Sequence, residues 1–267
     1  MKVNKRREAM LQAVLGGMTD VATLCEHFGM SEATVRRDLR ALANGNRILR
    51  TYGGAAAVGS HEPEPSLDER KVSARGQKDA IGQAASAFVE DGDTVFLDGG
   101  TTTAALANLL CGRTAVHVVT NNLLIVSPLV ASGVQVTVIG GDVRSTSMST
   151  LGPLAQIALS RLSVDKAFLG ADGVVAGLGL CEASSEQSYL KECVMRQAAQ
   201  VFVLATADKL GRASQQHWTP IERAWTLITD DAAQTEQLAP FDSLERVTVC
   251  AVSVKAMATS DASSQLQ

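Results

Sequence analysis

The first 58 residues alternate apolar and polar positions with the spacing of short helices and then of a hairpin. Apolar residues recur at helical spacing from Arg6 to Leu15 and again from Asp20 to Phe28. Gly29 suits a left-handed turn, and Ser31 is expected to cap a third helix through its side-chain oxygen. Residues 48–58 resemble two short strands joined at glycines. The pattern predicts a small helical domain that ends in a wing.

The predicted third helix has one apolar face and one basic face. Val35, Leu39 and Leu42 fall at i, i+4 and i+7, so they lie in one arc that faces the core. At about 100° per residue, the opposite side carries Arg37 and Arg40, and the shoulders carry Thr34 and Arg36. A helix-turn-helix presents such a face to DNA, with polar side chains for base edges and arginines for guanine and phosphate.

A pair of exposed arginines taken alone is more often an ordinary solvated helix face. Here the preceding helix, the glycine turn, the capping serine and the following hairpin all agree with a winged helix-turn-helix. Arg50 on the hairpin is predicted to reach the DNA backbone or the minor groove beside the site that the helix contacts. The combination favours DNA binding.

Beyond residue 78 the pattern changes to strands alternating with helices, which predicts a mostly parallel sheet covered on both faces. The uncharged stretch 114–141 is interrupted by polar residues, so it is interpreted as strand, helix and strand and not as a membrane span. Residues 59–77 are polar and contain two prolines. The predicted organisation is a DNA-binding domain over 1–58, a linker over 59–77, an α/β effector-binding domain over 78–255 and a polar tail over 256–267.

Charge is divided unevenly between these parts. Residues 1–60 contain nine Lys and Arg against five Asp and Glu, whereas the whole chain has a net charge of −4. A basic N-terminal domain on an acidic body indicates that only the former meets a polyanion. The five cysteines show no metal-binding spacing, and the N-terminus lacks the features of a signal peptide, so we expect a cytoplasmic protein without metal.

Polar residues follow the predicted strands at their carboxyl ends, where ligands bind to parallel sheets. Gly99 and Gly100 let backbone approach closely, and the threonines that follow open a helix, which together can hold an anion. The segment is neither a GxGxxG nor a GxxxxGK[ST] loop, so no nucleotide cofactor is expected and a small phosphate ester fits better. Alone, a Gly-Gly-Thr turn is more often a plain connection, Asp172 a turn former and Lys191 a solvated residue.

These motifs resemble the DeoR family of bacterial transcriptional regulators. The resemblance rests on "VATLCEHFGMSEATVRRDLRALANGNRILRTYGGA" and, in the body, on "DGDTVFLDGGTTT", "VVTNNLLIV", "IGGDVR", "KAFLGADGV" and "FVLATADKLGR". It implies an α/β fold: a small winged helix-turn-helix followed by a larger, mostly parallel α/β sugar-phosphate-binding domain similar to ribose-5-phosphate isomerase. The candidate DNA-binding residues are Ser31, Thr34, Arg36, Arg37, Arg40 and Arg50.

The candidate effector-binding residues combine those that the resemblance implies with others at the strand ends. Asp38 is interpreted as structural, orienting a neighbouring arginine. The family usually has serine where this chain has Gly99. The full effector-binding set is Asp98, Gly100, Thr101, Thr102, Thr103, Thr120, Asn121, Asn122, Gly141, Arg144, Asp172, Lys191 and Lys209.

A repressor of a sugar or polyol operon, relieved by a phosphorylated sugar or polyol, is the function that this combination predicts. A homo-oligomer is expected because winged domains commonly act in pairs on repeated half-sites. The rival is a sugar-phosphate isomerase, which needs a carboxylate base. Related isomerases carry "DGADE" where this chain has "LGADG", so Leu169 and Gly173 replace two acids. A third possibility is a body that only oligomerises.

Overall fold

The N-terminal part of the chain forms three helices and a hairpin in the computed structural model, which describes residues 3–15, 18, 20–45, 47–51, 54–57 and 64–254. We call residues 3–57 the head. Its two strands pair antiparallel, so the predicted wing is confirmed. The elements of the head are α1 (Val3–Leu15), α2 (Val21–Phe28), α3 (Glu32–Asn44), β1 (Ile48–Thr51) and β2 (Gly54–Ala57).

The head has its own hydrophobic core. Val35, Leu39 and Leu42 are buried as the helical spacing predicts, and they pack against residues of α1 and α2. Burying a leucine or valine side chain stabilises a fold by about 1.5–3 kcal/mol, so this small cluster accounts for much of the stability of the head. Its buried members are Met10, Leu11, Val14, Val21, Leu24, Val35, Leu39, Leu42, Ile48 and Ala55.

Part of the predicted linker is helical. Helix α4 (Leu67–Val72) begins at Ser66, whose hydroxyl accepts from the Glu69 amide while the Glu69 carboxylate accepts from the Ser66 amide. Helix α5 (Arg75–Ser86) follows at once. A six-residue helix is too short to show apolar periodicity, which is why the sequence did not reveal it. Residues 58–63 of the linker, and the tail from 255, lie outside the described residues.

The body (residues 64–254) is built on a seven-stranded sheet in which each neighbouring pair is parallel. This confirms the predicted mostly parallel α/β architecture. The remaining strands, in chain order, are β3 (Thr94–Leu97), β4 (His117–Thr120), β5 (Gln135–Val138), β6 (Asp142–Arg144), β7 (Ser149–Leu151), β8 (Val164–Leu169), β9 (Gly173–Val175), β10 (Gly179–Glu182), β11 (Ala198–Leu204), β12 (His217–Thr219), β13 (Trp225–Asp230) and β14 (Val247–Val252).

The order of strands in the large sheet is β14-β13-β11-β8-β3-β4-β5. Two smaller sheets accompany it: the antiparallel hairpin β6-β7 and the antiparallel set β12-β10-β9. Strand β13 was not predicted. Its sequence "WTLITD" mixes two threonines and an aspartate with apolar residues, so it shows neither a strict alternation nor a continuous apolar run.

Helices cover both faces of the sheet, because consecutive strand residues point to opposite sides. Val95 and Leu97 pack with α5, whereas Phe96 between them packs on the other face. The remaining helices are α6 (Thr101–Leu110), α7 (Leu123–Ala131), α8 (Pro153–Leu159), α9 (Ser185–Gln197) and α10 (Thr235–Asp242). Helices α6 and α7 lie on the face of α5, and α8, α9 and α10 lie on the other. No helix of the described residues is long and apolar enough to cross a membrane.

Candidate functional site

Local sequence sets the turn that presents α3. Asp20 caps α2, and its carboxylate accepts from the Thr23 amide at 2.9 Å. Gly29 ends α2 with φ of 60°, a left-handed conformation that glycine adopts without strain. Its amide bonds the last carbonyls of α2, so α3 starts in a new direction three residues later.

The outward face of α3 carries the candidate DNA-binding residues. Arg37 and Arg40 are exposed and form no ion pair with any residue that the structure describes. Arg36, on the shoulder, pairs with Glu32 at 2.6 Å. Ser31 occupies the cap position of α3, but the predicted side-chain cap bond is absent, because its hydroxyl lies 3.0 Å from the hydroxyl of Thr34 instead. The face therefore offers two uncommitted guanidinium groups.

Asp38 is fully buried and structural, as predicted, but its partners are not its neighbours on α3. Its carboxylate accepts from Arg6 at 2.6 Å and from Arg7 at 3.0 Å, both on α1. Although burial opposes ionisation, these hydrogen bonds hold the pKa of Asp38 below its ordinary value. The pair of salt bridges fixes α3 against α1. Arg50 lies in β1, but its side chain is outside the described part of the structure.

Several predicted effector ligands instead build the loops at the carboxyl end of the sheet. The Thr103 hydroxyl donates to the carbonyls of Asp98 at 2.6 Å and Gly100 at 3.0 Å. Asn122 donates to the same two carbonyls, and the Thr120 hydroxyl donates to Leu97 at 2.6 Å. These side chains are buried and donate to backbone carbonyls, so they shape the turn. Thr103 also lines the inner part of the cleft described below.

A buried charged cluster lies beneath that turn. The ammonium group of Lys191 donates to the carbonyl of Gly170 at 2.7 Å, pairs with Glu182, and lies 3.3 Å from the carboxylate of Asp98. Asp98 also accepts from the amides of Gly99 at 2.7 Å and Gly170 at 3.2 Å. Lys191 is only 4% exposed, so it is not the solvated residue that the alternative interpretation supposed.

The surroundings shift the pKa values of this cluster. Burial raises the pKa of Glu182 to about 8, and the carboxylates of Asp172 and Asp98 act in the same direction against the attraction of Lys191. For Lys191, burial alone would lower the pKa, but Asp98 and Glu182 outweigh it and raise the pKa above its ordinary value. The cluster therefore favours the ammonium form of Lys191 and opposes ionisation of the Glu182 carboxyl group.

A cleft opens above the cluster. Its outer part has a volume of about 200 Å³, and a smaller inner part continues to the glycine turn and the charged cluster. Four residues line both parts: Arg70, Thr101, Asp172 and Lys209. The Asp172 carboxylate accepts from the Ala183 amide at 3.1 Å, so it is more than a turn former in its own loop. The two parts form one continuous site for a small polar ligand.

The structure brings together most of the predicted effector residues but separates others. The inner part is lined by Gly100, Thr101, Thr102, Thr103, Asp172, Lys191 and Lys209. Asn121 and Arg144 are not part of this lining: Asn121 donates weakly to Thr150 at 3.4 Å, and Arg144 pairs with Glu64, which also contacts the lining residue Arg70. Gly141 serves a packing role, because a side chain there would collide with the carbonyl of Leu151.

Sequence reasoning missed three charged residues of the site: Arg70, Lys78 and Glu182. Arg70 was assigned to the linker. Lys78 lies on the same helical face as the buried Ile81 and Ala85, and a lysine on a core-facing position was the signal that could have revealed it. Glu182 ends β10, and no local pattern indicates that this strand returns it to Lys191. Burial, followed by the charge of Lys209, lowers the pKa of Lys78 to about 8.

Glu182 also corrects the argument against catalysis. The sequence suggested that the acidic cluster was lost because Leu169 and Gly173 replace two acids. In the structure Glu182 supplies a carboxylate beside Asp98 and Asp172 from a different segment. Among the described residues no group of three or more His, Cys, Asp or Glu could hold a metal ion.

Two family models match the chain. One, described as a DeoR-like helix-turn-helix domain, matches residues 6–61, and the other, described as the DeoR C terminal sensor domain, matches residues 73–231. The chain is 32% identical over 237 residues to the HTH-type transcriptional regulator GlpR of Haloferax volcanii, covering 88% of this chain and 92% of that protein. It is 30% identical over 232 residues to the glycerol-3-phosphate regulon repressor of Escherichia coli, covering 86% and 92%.

Solved structures give a weaker likeness. Ribose 5-phosphate isomerase A from Methanocaldococcus jannaschii aligns with a TM-score of 0.37 and 20% sequence identity, over 49% of this chain and 52% of that chain. Agreement at this level is too low to support any statement about function.

Proposed function

Because this chain belongs to the DeoR family of transcriptional regulators, we propose that its head binds an operator and its body binds a phosphorylated sugar or polyol that alters this binding. The relative named as the glycerol-3-phosphate regulon repressor supports a phosphorylated polyol as the class of effector and repression as the direction of control. The DNA partner implies a cytoplasmic site of action.

The observation that supports effector binding by the body is a cleft lined by cationic side chains. Lys191 is buried at its floor, and Arg70, Lys78 and Lys209 line its walls. A phosphate ester carries up to two negative charges and many acceptor oxygens, which suit ammonium and guanidinium donors. The carboxyl groups of Asp172 and Glu182 suit the hydroxyls of a sugar or polyol. A phosphorylated ligand can use the positive charge of these side chains, whereas a neutral metabolite cannot.

The DNA half rests on the exposed side of α3. Arg37 and Arg40 are exposed on the solvent side of a helix whose other side is held in the head by Leu39 and Asp38. Neither arginine forms an ion pair with a described residue, so this helix can enter the major groove without breaking such a contact. Two heads in a homo-oligomer would contact two half-sites, which is the usual way that such short helices gain affinity.

Replacing Arg37 by alanine tests the DNA half. We expect weaker operator binding. If Arg37 contacts the DNA backbone, the slope of log K against log salt concentration should also decrease by about one. Arg196→Ala is a matched control, because it removes the same charge from an exposed position on helix α9 of the body. Operator fragments can be selected from random DNA with the whole protein and measured by fluorescence anisotropy. Equal binding by Arg37→Ala, Arg196→Ala and the unmodified protein would refute the assignment.

Replacing Thr102 by valine tests the effector half, since Thr102 is 4% exposed and lines the inner cleft. A thermal-shift screen of phosphorylated sugars and polyols should identify ligands that raise the unfolding temperature of the unmodified protein. We expect Thr102→Val to lose this shift and keep operator binding. Thr226→Val, a threonine of β13 outside the cleft, is the control. A full shift in Thr102→Val would contradict the proposed cleft.

An isomerase remains a second candidate because of one observation: Glu182 restores a carboxylate beside Asp98, and its pKa of about 8 suits proton transfer near neutral pH. The test is direct. Phosphorylated aldoses are incubated with the whole protein, and formation of the ketose is followed by NMR. We expect binding without turnover; ketose formation that Glu182→Gln abolishes would establish the isomerase instead.

A further inference from the structure

Glu64 lies between two arginines of the body, Arg70 and Arg144. Its Oε1 accepts from Nη1 of Arg144 at 3.1 Å and lies 3.1 Å from Nη1 of Arg70. Its Oε2 accepts from Nη2 of Arg144, so the Arg144 contact uses both oxygens. The carboxylate side chain is 8% exposed. This is the geometry in which arginines bind an oxyanion, whether carboxylate or phosphate.

The two arginines can bind more negative charge than Glu64 provides. Two guanidinium groups share the one carboxylate of Glu64, and among the described residues no second carboxylate forms an ion pair with either of them. The Nε of Arg70 is buried, yet no acceptor for it exists among the described residues. A buried N–H without a partner is uncommon in folded proteins, because it loses its bonds to water and gains none in return. A phosphate group has both the second charge and the additional acceptor oxygens.

The arginine pair is connected to the effector cleft. Arg70 lines both the outer and the inner parts, beside Thr101. Its carbonyl accepts from the ammonium group of Lys78, which also donates to Ser73 at 2.7 Å, so α4 is held to the cleft wall. Burial alone would lower the pKa of Arg144, but the hydrogen bonds and charge of Glu64, followed by the charges of Asp172 and Glu182 in the cleft, raise it. Because Arg70 lines the cleft and Arg144 does not, an anion that enters the cleft would contact Arg70 before Arg144.

We propose that Glu64 is an internal anion that occupies the arginine pair in the ligand-free protein, and that the phosphate of the effector displaces it. This inference rests on the proposed function, because it assigns the regulation of the same site. The phosphate would take the contacts with Arg70 and Arg144, and the carboxylate of Glu64 would move to solvent, where it needs no partner.

The position of Glu64 in the chain links this exchange to the head. Glu64 follows Ala57, the last residue of β2 in the wing, by seven positions and precedes α4 by three. Its salt bridges with Arg70 and Arg144 hold the body end of the segment that connects β2 to α4. Releasing them frees the point where the connection to the head is anchored, so effector binding and head placement become coupled through a single side chain.

The experiment is titration calorimetry of inorganic phosphate into the whole protein in phosphate-free buffer. Glu64→Gln keeps the size of the side chain and removes its charge, so the arginine pair is no longer occupied by a competing anion. We expect Glu64→Gln to bind phosphate roughly tenfold more tightly than the unmodified protein, within the range typical of coupled sites. Asp68→Asn is the matched control: it removes one negative charge from the same segment, but Asp68 is exposed and pairs with Lys71 instead.

Equal phosphate affinity in Glu64→Gln and Asp68→Asn would overturn the inference while leaving the proposed effector site intact. Absence of phosphate binding in all three proteins, together with no hit among the phosphorylated sugars and polyols, would overturn both. Hydrogen exchange of the unmodified protein gives a measurement that does not depend on a variant. Amides of residues 64–72 should exchange faster when phosphate is added, and slower or unchanged exchange would contradict the displacement of Glu64.

Discussion

Replacing Glu182 by glutamine should make the body more stable near neutral pH, which is the reverse of what removing a salt-bridge partner usually does. Glu182 is buried next to Lys191, but two other carboxylates, Asp98 and Asp172, act on it as well. Lys191 keeps Asp98 as a partner, and the amide oxygen of glutamine can still accept from its ammonium group. The substitution therefore removes a carboxyl group whose ionisation the folded body opposes, and it retains the hydrogen bond.

The magnitude follows from the pKa. The pKa of Glu182 rises from 4.5 to about 8 on folding, so at pH 7 the folded state must take up a proton that the unfolded state lacks. At about 1.4 kcal/mol per pH unit, this costs folding on the order of 3 kcal/mol at pH 7. Below pH 4.5 the carboxyl group is protonated in both states and the cost vanishes. The destabilisation caused by Glu182 thus grows from about pH 4.5 to pH 8, and the Glu182→Gln variant should lack it.

Chemical denaturation at several pH values measures this difference. Both tryptophans, Trp218 and Trp225, lie in the body, so intrinsic fluorescence reports its unfolding and is insensitive to the head. Glu222→Gln serves as a control, because Glu222 is an exposed residue of the same body. Equal stabilities of the variant and the unmodified protein near pH 4.5, with the variant ahead at pH 7, are expected. A variant that is less stable at pH 7 by an amount independent of pH would refute the reasoning.

Three further predictions concern the cleft and the head. Burial, then the charge of Lys209, lowers the pKa of Lys78 to about 8, so phosphate affinity measured by calorimetry should fall by up to about fivefold from pH 8 to pH 9 as Lys78 loses its proton; constant affinity would contradict this. A Cβ at Gly99 would lie 2.7 Å from that of Ser149, so Gly99→Ser should lower the free energy of unfolding by about 1–3 kcal/mol in fluorescence-detected denaturation. Adding Ser149→Gly should recover this stability. Leu39→Ala should destabilise the head by about 2–5 kcal/mol and abolish operator binding at 37 °C, while the tryptophan unfolding curve stays unchanged; a shifted curve would show that the head and body do not unfold separately.

The sequence predicted those parts of the fold that local patterns determine. Helical spacing placed Val35, Leu39 and Leu42 in the core and Arg37 and Arg40 outside. These predictions succeed because a helix closes its hydrogen bonds within itself, so the direction of each side chain depends only on the distance along the chain.

The site depends on contacts between distant segments, and there the sequence was less informative. Glu182 reaches Lys191 because β10 pairs with β9 and β12, and Arg70 reaches the cleft because α4 folds back on it. Local spacing contains no record of such pairings. For the same reason, the short string around Asp172 was a poor guide to the number of carboxylates that meet in space.

Polar residues near a strand end can also hold the loop together. Thr103, Thr120 and Asn122 have the chemistry of ligand-binding groups, yet they donate to backbone carbonyls of the turn. Sequence alone does not distinguish these roles, because a hydroxyl or amide is equally able to bond a carbonyl inside the protein and an oxygen of a ligand.

The separation between side chains that hold the turn and side chains that line the cleft has an evolutionary consequence. The turn at Asp98–Gly100 is held by side chains that do not depend on which ligand arrives. Substitutions on the cleft walls, at Thr101 or Lys209 for instance, can therefore change ligand preference without dismantling the turn. A protein built in this way can acquire a new inducer through a few mutations, each of which leaves a folded intermediate for selection to act upon.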